Sequence, residues 1–232
     1  GEVKVEENKL NKGNGITINN KIIKADKYII ACGPWNKKIL PNFFNKISYI
    51  SRQEVYFFSI PNNNNDNYKI KNMPCWMDLN ENSPTYYGMP FHLNKGFKVA
   101  YDERSTLFDP DKSDRIPLPK LIERTKKYIY KRFPGLKNLP ITESKVCQYE
   151  NSIDGNFIIE KHSLSNDVLI MGGSSGHGFK MGPGIGEFVK DVILKNKKIP
   201  SFLSKSRLIN NNNLSQYYNS QIKYESKKRF FN

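Results

Sequence analysis

Residues 168–187 constrain this chain more than any other stretch. Val168-Leu169-Ile170-Met171 is a short apolar run, the pattern of a buried strand. A loop dense in glycine follows as far as Gly184, and then Ile185, Phe188, Val189, Val192 and Ile193 recur at the spacing of one helix face. Strand, glycine loop and helix start together make a ligand-binding device. Glycines admit close approach of the backbone, and the first helical turn offers unpaired N–H groups with partial positive charge. The spacing is not the glycine-x-glycine-x-x-glycine of a dinucleotide fingerprint after a first strand. A glycine loop alone also serves as a plain tight turn. His177 and Lys180, placed among these glycines, are what argue for a binding role.

The rest of the chain alternates strand and helix signals around that device. Residues 3–23 read as β-hairpins, with Val3 and Val5 alternating with charges, a turn at Gly13-Asn14-Gly15, and Ile16 and Ile18 alternating again. Tyr28 to Cys32 reads as a buried strand stopped by Gly33-Pro34, and Trp35 to Leu40 as a short helix ended by Pro41. Aromatic-rich strands then follow at 51–60, 76–79, 85–88 and 96–102 with no helix between them, which argues an antiparallel sheet. Such a sheet with an aromatic wall suits a pocket for a small molecule. Pro117 to Phe133 is the clearest helix: Leu118, Leu121, Ile122, Thr125, Ile129 and Phe133 share a face, and Pro134-Gly135 stops it. Strands at 143–149 and 157–160 lead back to 168–171. Residues 201–232 turn to Asn, Ser and Lys and predict a loosely ordered tail.

Composition narrows the function classes. The net charge of +15 raises nucleic acid as a partner, but the lysines are scattered. Only Lys223 to Phe231 interleaves cations with aromatics, so a solvated basic surface is the preferred account and nucleic acid is not an expected partner. The three cysteines, Cys32, Cys75 and Cys147, are far apart and match neither a zinc pattern nor a disulfide framework, which suits a reducing compartment. No apolar run reaches the length of about 18 residues that a membrane helix needs. The first residues lack a signal-peptide pattern and the chain ends in Phe-Phe-Asn, so the expected location is cytoplasmic. The asparagine runs 62–65 and 210–213 read as loops.

Taken together, four segments have a familiar look. Ser175-Gly176-His177-Gly178-Phe179-Lys180, preceded by Val146-Cys147-Gln148-Tyr149 and Phe157-Ile158-Ile159-Glu160, resembles the C-terminal part of the FAD-dependent amine oxidoreductases of the D-amino-acid oxidase and monomeric sarcosine oxidase family. Ala25-Asp26-Lys27-Tyr28-Ile29-Ile30-Ala31-Cys32-Gly33-Pro34-Trp35 is similar to another segment of that family. The resemblance runs in order to about residue 200. It implies an α/β (α+β) fold in which Rossmann-like pieces of an FAD-binding domain, 1–50 and 146–200, pack together. Residues 51–145 would be an inserted antiparallel-sheet substrate domain, followed by the tail 201–232. The family's N-terminal dinucleotide-binding unit has no counterpart before Gly33, so the chain resembles the C-terminal portion only. The missing segment is then an expected partner, and the isolated chain is expected to be inactive.

The same resemblance assigns roles. Cys147 would attach the flavin through a thioether, and Gly173, Gly176, Gly178, Gly182 and Gly184 would approach the cofactor. Lys180 would bind a substrate carboxylate, His177 would position or polarise the substrate, and Tyr87 and Tyr149 would line the pocket. Lys98 would stand beside the flavin and promote reaction of the reduced form with oxygen, a fixed cation stabilising developing negative charge. Asp102 stands where the sarcosine oxidase branch carries a histidine, and an acidic group there should attract a cationic amine or repel a carboxylate. The residues alone also fit a buried strand cysteine, a solvated strand lysine and a structural histidine. The implied activity is oxidation of a secondary or primary amine, such as an N-substituted amino acid, to an imine, with oxygen as acceptor. A dehydrogenase using another acceptor and a non-catalytic fragment that binds no FAD are the alternatives.

Overall fold

Ile158, Val168 and Ile170 turn to one side of a sheet, and Ile159 and Leu169 to the other, so a single apolar run feeds two cores. The computed structural model describes residues 3–5, 15–60, 66–80, 83–92, 95–102, 104 and 107–209. The chain divides into two compact units, Gly1–Ile50 with Tyr149–Asn232, and Ser51–Gln148. In chain order the strands and helices are β1 (Val3–Lys4), β2 (Ile16–Ile18), β3 (Lys21–Ile23), β4 (Tyr28–Ile30), α1 (Asn36–Ile39), α2 (Pro41–Phe44), β5 (Ser48–Phe58), β6 (Trp76–Asn80), β7 (Ser83–His92), β8 (Gly96–Tyr101), α3 (Pro119–Arg132), β9 (Ile141–Ser152), β10 (Ile158–His162), β11 (Ser165–Gly172), α4 (Gly178–Leu194) and α5 (Ser206–Ile209).

In the first unit β1, β2 and β3 form a small antiparallel sheet. Its described turn is Asn19-Asn20, with φ of 49° and 63°, the left-handed pair that a two-residue hairpin needs and asparagine tolerates. The turn expected at Gly13-Asn14 lies outside the described residues. A second sheet has the order β10-β11-β4, with β11 parallel to β4 and antiparallel to β10. One face packs Tyr28, Ile30, Ile158, Val168 and Ile170 against Leu40, Phe43, Phe44, Ile47 and Leu208. The other packs Ile159 and Leu169 against Val189 and Val192 of α4 and against Leu203. Each such side chain contributes about 1.5–3 kcal/mol on burial. Pro41 follows the end of α1, as expected, and also opens α2, where its missing N–H leaves no bond unmade.

The expectation of a loose tail from residue 201 needs correction. Ser201–Leu203 forms a 3-10 turn and Ser206–Ile209 a short helix. Leu203 and Leu208 each enter one of the two cores, anchors too few to show a period in the sequence. The rest of that tail, with Asn210–Asn213 and Lys223–Phe231, lies outside the described residues, as does the run 62–65.

The second unit is built on a five-stranded sheet of order β6-β7-β8-β5-β9. The pairs β6–β7, β7–β8 and β5–β8 are antiparallel, the arrangement that consecutive strand patterns predict. One helix, α3, covers one face. Its Leu121 and Ile129 bury against Tyr56, Phe58, Phe97, Val99 and Tyr101, while Tyr128 stacks on Tyr86 with ring centroids 3.6 Å apart. The start of α3 is set by a buried carboxylate. Glu54 accepts the Leu118 N–H at 3.1 Å, the Arg52 Nε–H at 2.6 Å and the Tyr56 hydroxyl. No helix among the described residues is long and apolar enough to cross a membrane.

Candidate functional site

The glycine loop leaves β11 through three residues in the left-handed region, Gly173, Ser175 and Gly176, with φ of 66°, 48° and 87°. Two of the glycines are required twice over. A Cβ on Gly176 would stand 2.6 Å from the Tyr149 ring, and one on Gly173 would stand 2.9 Å from the Asn156 carbonyl oxygen. The helix, however, begins at Gly178 rather than after Gly184. Gly178, Lys180, Gly182 and Gly184 are therefore helical, which corrects their placement in the loop. Glycine-rich sequence with an internal Pro183 argues against helix on propensity. Here the packing of Ile185, Phe188, Val189, Val192 and Ile193 carries the helix, and the fixed φ of Pro183 is compatible with its continuation.

The first two turns of α4 are bare within this unit. Residues 179–184 are all exposed, Phe179 is 100% exposed, and nothing lies within 4 Å of where a Cβ would stand on Gly182 or Gly184. Lys180 is exposed in the first turn, where a cation works against the helix dipole. His177 is the N-cap residue, and its carbonyl accepts the Met181 N–H at 3.2 Å. The His177 Nε2 lies 3.1 Å from the Gly155 carbonyl oxygen, which can only accept, so Nε2 carries the proton. Its ring packs edge-on to Phe157 with centroids 5.9 Å apart. These contacts fasten His177 to the turn between β9 and β10.

Sequence reasoning missed the group that holds the loop. Glu150, on β9 and 2% exposed, accepts the Asn36 Nδ2–H at 3.0 Å on one carboxylate oxygen and the Gly173 N–H at 3.0 Å on the other. Its own backbone carbonyl accepts the Ser175 N–H at 2.8 Å. Burial raises the carboxyl pKa to about 7, against the lowering effect of those two donors. Asn36, wholly buried, also donates to the Met171 carbonyl at 2.7 Å and accepts the Cys32 N–H at 2.9 Å. Ser152 adds a further stitch, its N–H donating to the Ser175 hydroxyl oxygen at 3.2 Å.

In the second unit, the sheet face away from α3 carries the other named residues. Phe97, Val99 and Tyr101 of β8 face the helix, so Lys98 and Ala100 face the opposite way, in register with Met89 and Tyr87 of β7, and Tyr87 is in turn opposite Met77 of β6. The half-buried Lys98 ammonium stands 5.4 Å from the Tyr87 ring centroid. Burial pushes the Lys98 pKa below the usual lysine range, while interaction with Cys147 and Cys75 works the other way. Cys75 was not singled out from sequence, since nothing along the chain links it to Cys147. Asp102 differs from expectation: Arg104 faces it with Nη2–Oδ2 of 3.1 Å and Nε–Oδ1 of 3.3 Å. The negative charge expected to act on the substrate is thus balanced by a buried guanidinium two residues away.

These groups fit the ring end of a flavin. In the second unit they offer a half-buried cation near a thiol on an apolar-lined sheet face; the first unit, taken by itself, offers glycines with open space at a helix start. No strand followed by glycine-x-glycine-x-x-glycine occurs in the sequence to hold a pyrophosphate. Among the described residues no cluster of three or more His, Cys, Asp or Glu could hold a metal ion.

Comparison with known proteins identifies the family. The family described as FAD dependent oxidoreductase, abbreviated DAO, matches residues 2–192. Monomeric sarcosine oxidase from a Bacillus sp. is 32% identical over 179 residues, covering 75% of this chain and 44% of that protein. N-methyl-L-tryptophan oxidase from Salmonella arizonae is 28% identical over 197 residues, covering 82% of this chain and 49% of that protein. Among solved structures, the deglycating enzyme fructosamine oxidase (Amadoriase II) from Aspergillus fumigatus superposes with a TM-score of 0.67 at 18% identity, over 84% of this chain and 46% of that one. The chain thus spans a little under half the length of these curated relatives. With motifs, fold and family agreeing over most of its length, this chain belongs to the DAO family of FAD-dependent oxidoreductases.

Proposed function

We propose that this chain contributes the flavin-ring and substrate surfaces of an FAD-dependent enzyme that oxidises a secondary or primary amine, such as an N-methylated amino acid, with oxygen as acceptor. The observation that carries the reading is Lys98, a half-buried cation held among Tyr87, Cys147 and Cys75 on an otherwise apolar-lined sheet face. FAD, when bound, supplies the acceptor for the hydride that leaves the carbon next to the amine nitrogen, and water then hydrolyses the resulting imine. Lys98 provides fixed positive charge for oxygen reduction. Cys147, near that cation, forms the thioether to the cofactor. Lys180, a cation at a helix start where it is otherwise unfavourable, binds the substrate carboxylate. Tyr87 serves as a substrate-facing wall of the second unit, and Tyr149 as one beside the glycine loop of the first. His177, already fastened to Gly155, keeps the loop in place so that Gly173, Gly176, Gly178, Gly182 and Gly184 admit the cofactor closely. With its charge balanced by Arg104, Asp102 acts on the substrate as a polar group rather than as a lone anion.

Titration of the purified chain with FAD and with lumiflavin, which lacks the adenosine half, tests this reading. A chain that holds the ring end binds both with similar affinity, and an N-methylated amino acid added without oxygen perturbs the spectrum of the bound flavin even though the isolated chain does not turn over. Absence of binding to either flavin overturns the cofactor assignment. Bound flavin whose spectrum no N-methylated amino acid perturbs overturns the amine assignment. Mass spectrometry of the Cys147 peptide tests attachment separately.

A further inference from the structure

We propose that Arg115 is the positioning residue of Cys147, fixing the strand on both sides of that cysteine so that its thiol is presented to the flavin ring in one geometry. The guanidinium donates through Nη1 to the Val146 carbonyl at 3.0 Å and through Nη2 to the Gln148 Oε1 at 3.1 Å. The Val146 carbonyl belongs to the rigid peptide group that carries the Cys147 N–H, so the first bond acts on the backbone of the cysteine itself. Two donors on one planar group also define an orientation, which a single bond would not. Strand β9 needs such a fixture. It ends the order β6-β7-β8-β5-β9, so on its outer side this sheet supplies no ladder bonds.

Arg115 is in turn held by a buried neighbour. Arg52, 6% exposed, donates to the carbonyls of Asp114 and Ile116, the residues on either side of Arg115. Its Nε–H is taken by Glu54 at 2.6 Å. The buried Phe108 ring faces both guanidinium groups, with its centroid 5.9 Å from that of Arg52 and 5.3 Å from that of Arg115. One pattern thus occurs twice: Arg52 grips the neighbours of Arg115, and Arg115 grips the neighbours of Cys147. An arginine on a loose loop would give up much rotamer freedom to make two such bonds. Here the flanking carbonyls and the aromatic ring have already restricted it. The relay runs from the buried Arg52–Glu54 pair to the strand position of Cys147, and every member lies within the unit Ser51–Gln148. Its consequence for cofactor attachment rests on the function proposed above; the relay itself does not.

Reaction of the full chain with 8-chlorolumiflavin tests the positioning. When a thiol is held against C8 of this probe, sulfur bonds to that carbon, chloride leaves with the electron pair of the C–Cl bond, and the thiol proton goes to solvent. No oxidant is consumed. The flavin band moves to longer wavelength, and mass spectrometry locates the adduct. Arg115→Ala should slow adduct formation at saturating probe by about 10- to 100-fold, with lumiflavin affinity unchanged. Alkylation of Cys147 by iodoacetamide, which has no ring to align, should be unaffected. Arg115→Lys keeps the charge but cannot span both acceptors, so it should not restore the rate. A wild-type adduct rate in Arg115→Ala, or full rescue by Arg115→Lys, overturns the positioning and leaves the attachment reading standing. Should Arg115→Ala fail to fold, Gln148→Ala decides: it removes one of the two bonds and should slow the adduct at unchanged lumiflavin affinity, and a wild-type rate overturns the proposal. Should the wild type form no adduct at Cys147, the attachment reading falls and the grip is read without flavin. The Cys147 amide order parameter must then drop in Arg115→Ala, and an unchanged value overturns the proposal.

Discussion

Arg207 holds the carboxylate of Asp154 with two nitrogens, Nε at 2.7 Å from Oδ2 and Nη2 at 3.0 Å from Oδ1. The same guanidinium donates to the carbonyls of Asn156 and Ser204, so one side chain ties residues 201–209 to the turn between β9 and β10. That turn also supplies the Gly155 carbonyl that receives His177. Burial opposes ionisation of Asp154, yet Arg207 and Asn156 together hold its carboxyl below the usual carboxylate range. A depressed folded pKa contributes stability that is present above the unfolded value and is lost as pH falls through the folded one. Arg207→Ala should therefore lower stability by about 2 kcal/mol at neutral pH, and the deficit should shrink on acidification. Urea midpoints at neutral and acidic pH check both statements.

Glu150 makes the opposite contribution. Its folded pKa of about 7 exceeds the ordinary 4.5, so its stabilising effect is complete below 4.5 and is lost as pH rises through 7. The difference corresponds to about 3 kcal/mol of global stability. Denaturation curves across that window should show the wild type gaining stability on mild acidification, with Glu150→Gln lacking that part of the slope.

Two glycine substitutions should part company. Gly176→Ala meets both a φ of 87° and the Tyr149 ring, and should destabilise by about 1–3 kcal/mol. Gly182→Ala is helical with open space around it, and should stabilise the chain by about 0.5–1 kcal/mol. If Gly182 admits the cofactor, that more stable variant should bind lumiflavin more weakly. Thermal melts and flavin titration of the two proteins give the comparison.

In the second unit Glu54→Ala removes the carboxylate from Arg52, which is 6% exposed, and from the start of α3. Removing one partner of a buried ion pair costs about 3 kcal/mol, eased here because Arg52 keeps the Asp114 and Ile116 carbonyls. Cooperative unfolding of residues 51–148 at lower urea, read by exchange of α3 amides, is the expected result.

Lys98→Met keeps the length of the side chain and removes its charge. On the function proposed here, reoxidation of reduced flavin should slow by on the order of 10²-fold with little change in flavin affinity. Stopped-flow mixing of the reduced complex with oxygen measures it.

The sequence by itself determined what depends on local period and motif. The aromatic-rich runs of β5, β7 and β8, the apolar face of α3, and the strand–glycine–helix order around Gly173 were all legible, because each is written in residues a few positions apart. The family was legible for the same reason. Tertiary structure alone decided the matters settled between distant residues. Glu150 meets Asn36 across 114 positions and Arg207 meets Asp154 across 53, and nothing local marks either pairing. The start of α4 belongs with them. Its glycines and Pro183 argue for loop on propensity, and packing of the later turns against Ile159 and Leu169 overrides that weak preference. Even the balance of charge at Asp102 was a tertiary matter. Two neighbours in sequence can bond or turn apart, and only the folded chain brings the Arg104 guanidinium onto the carboxylate.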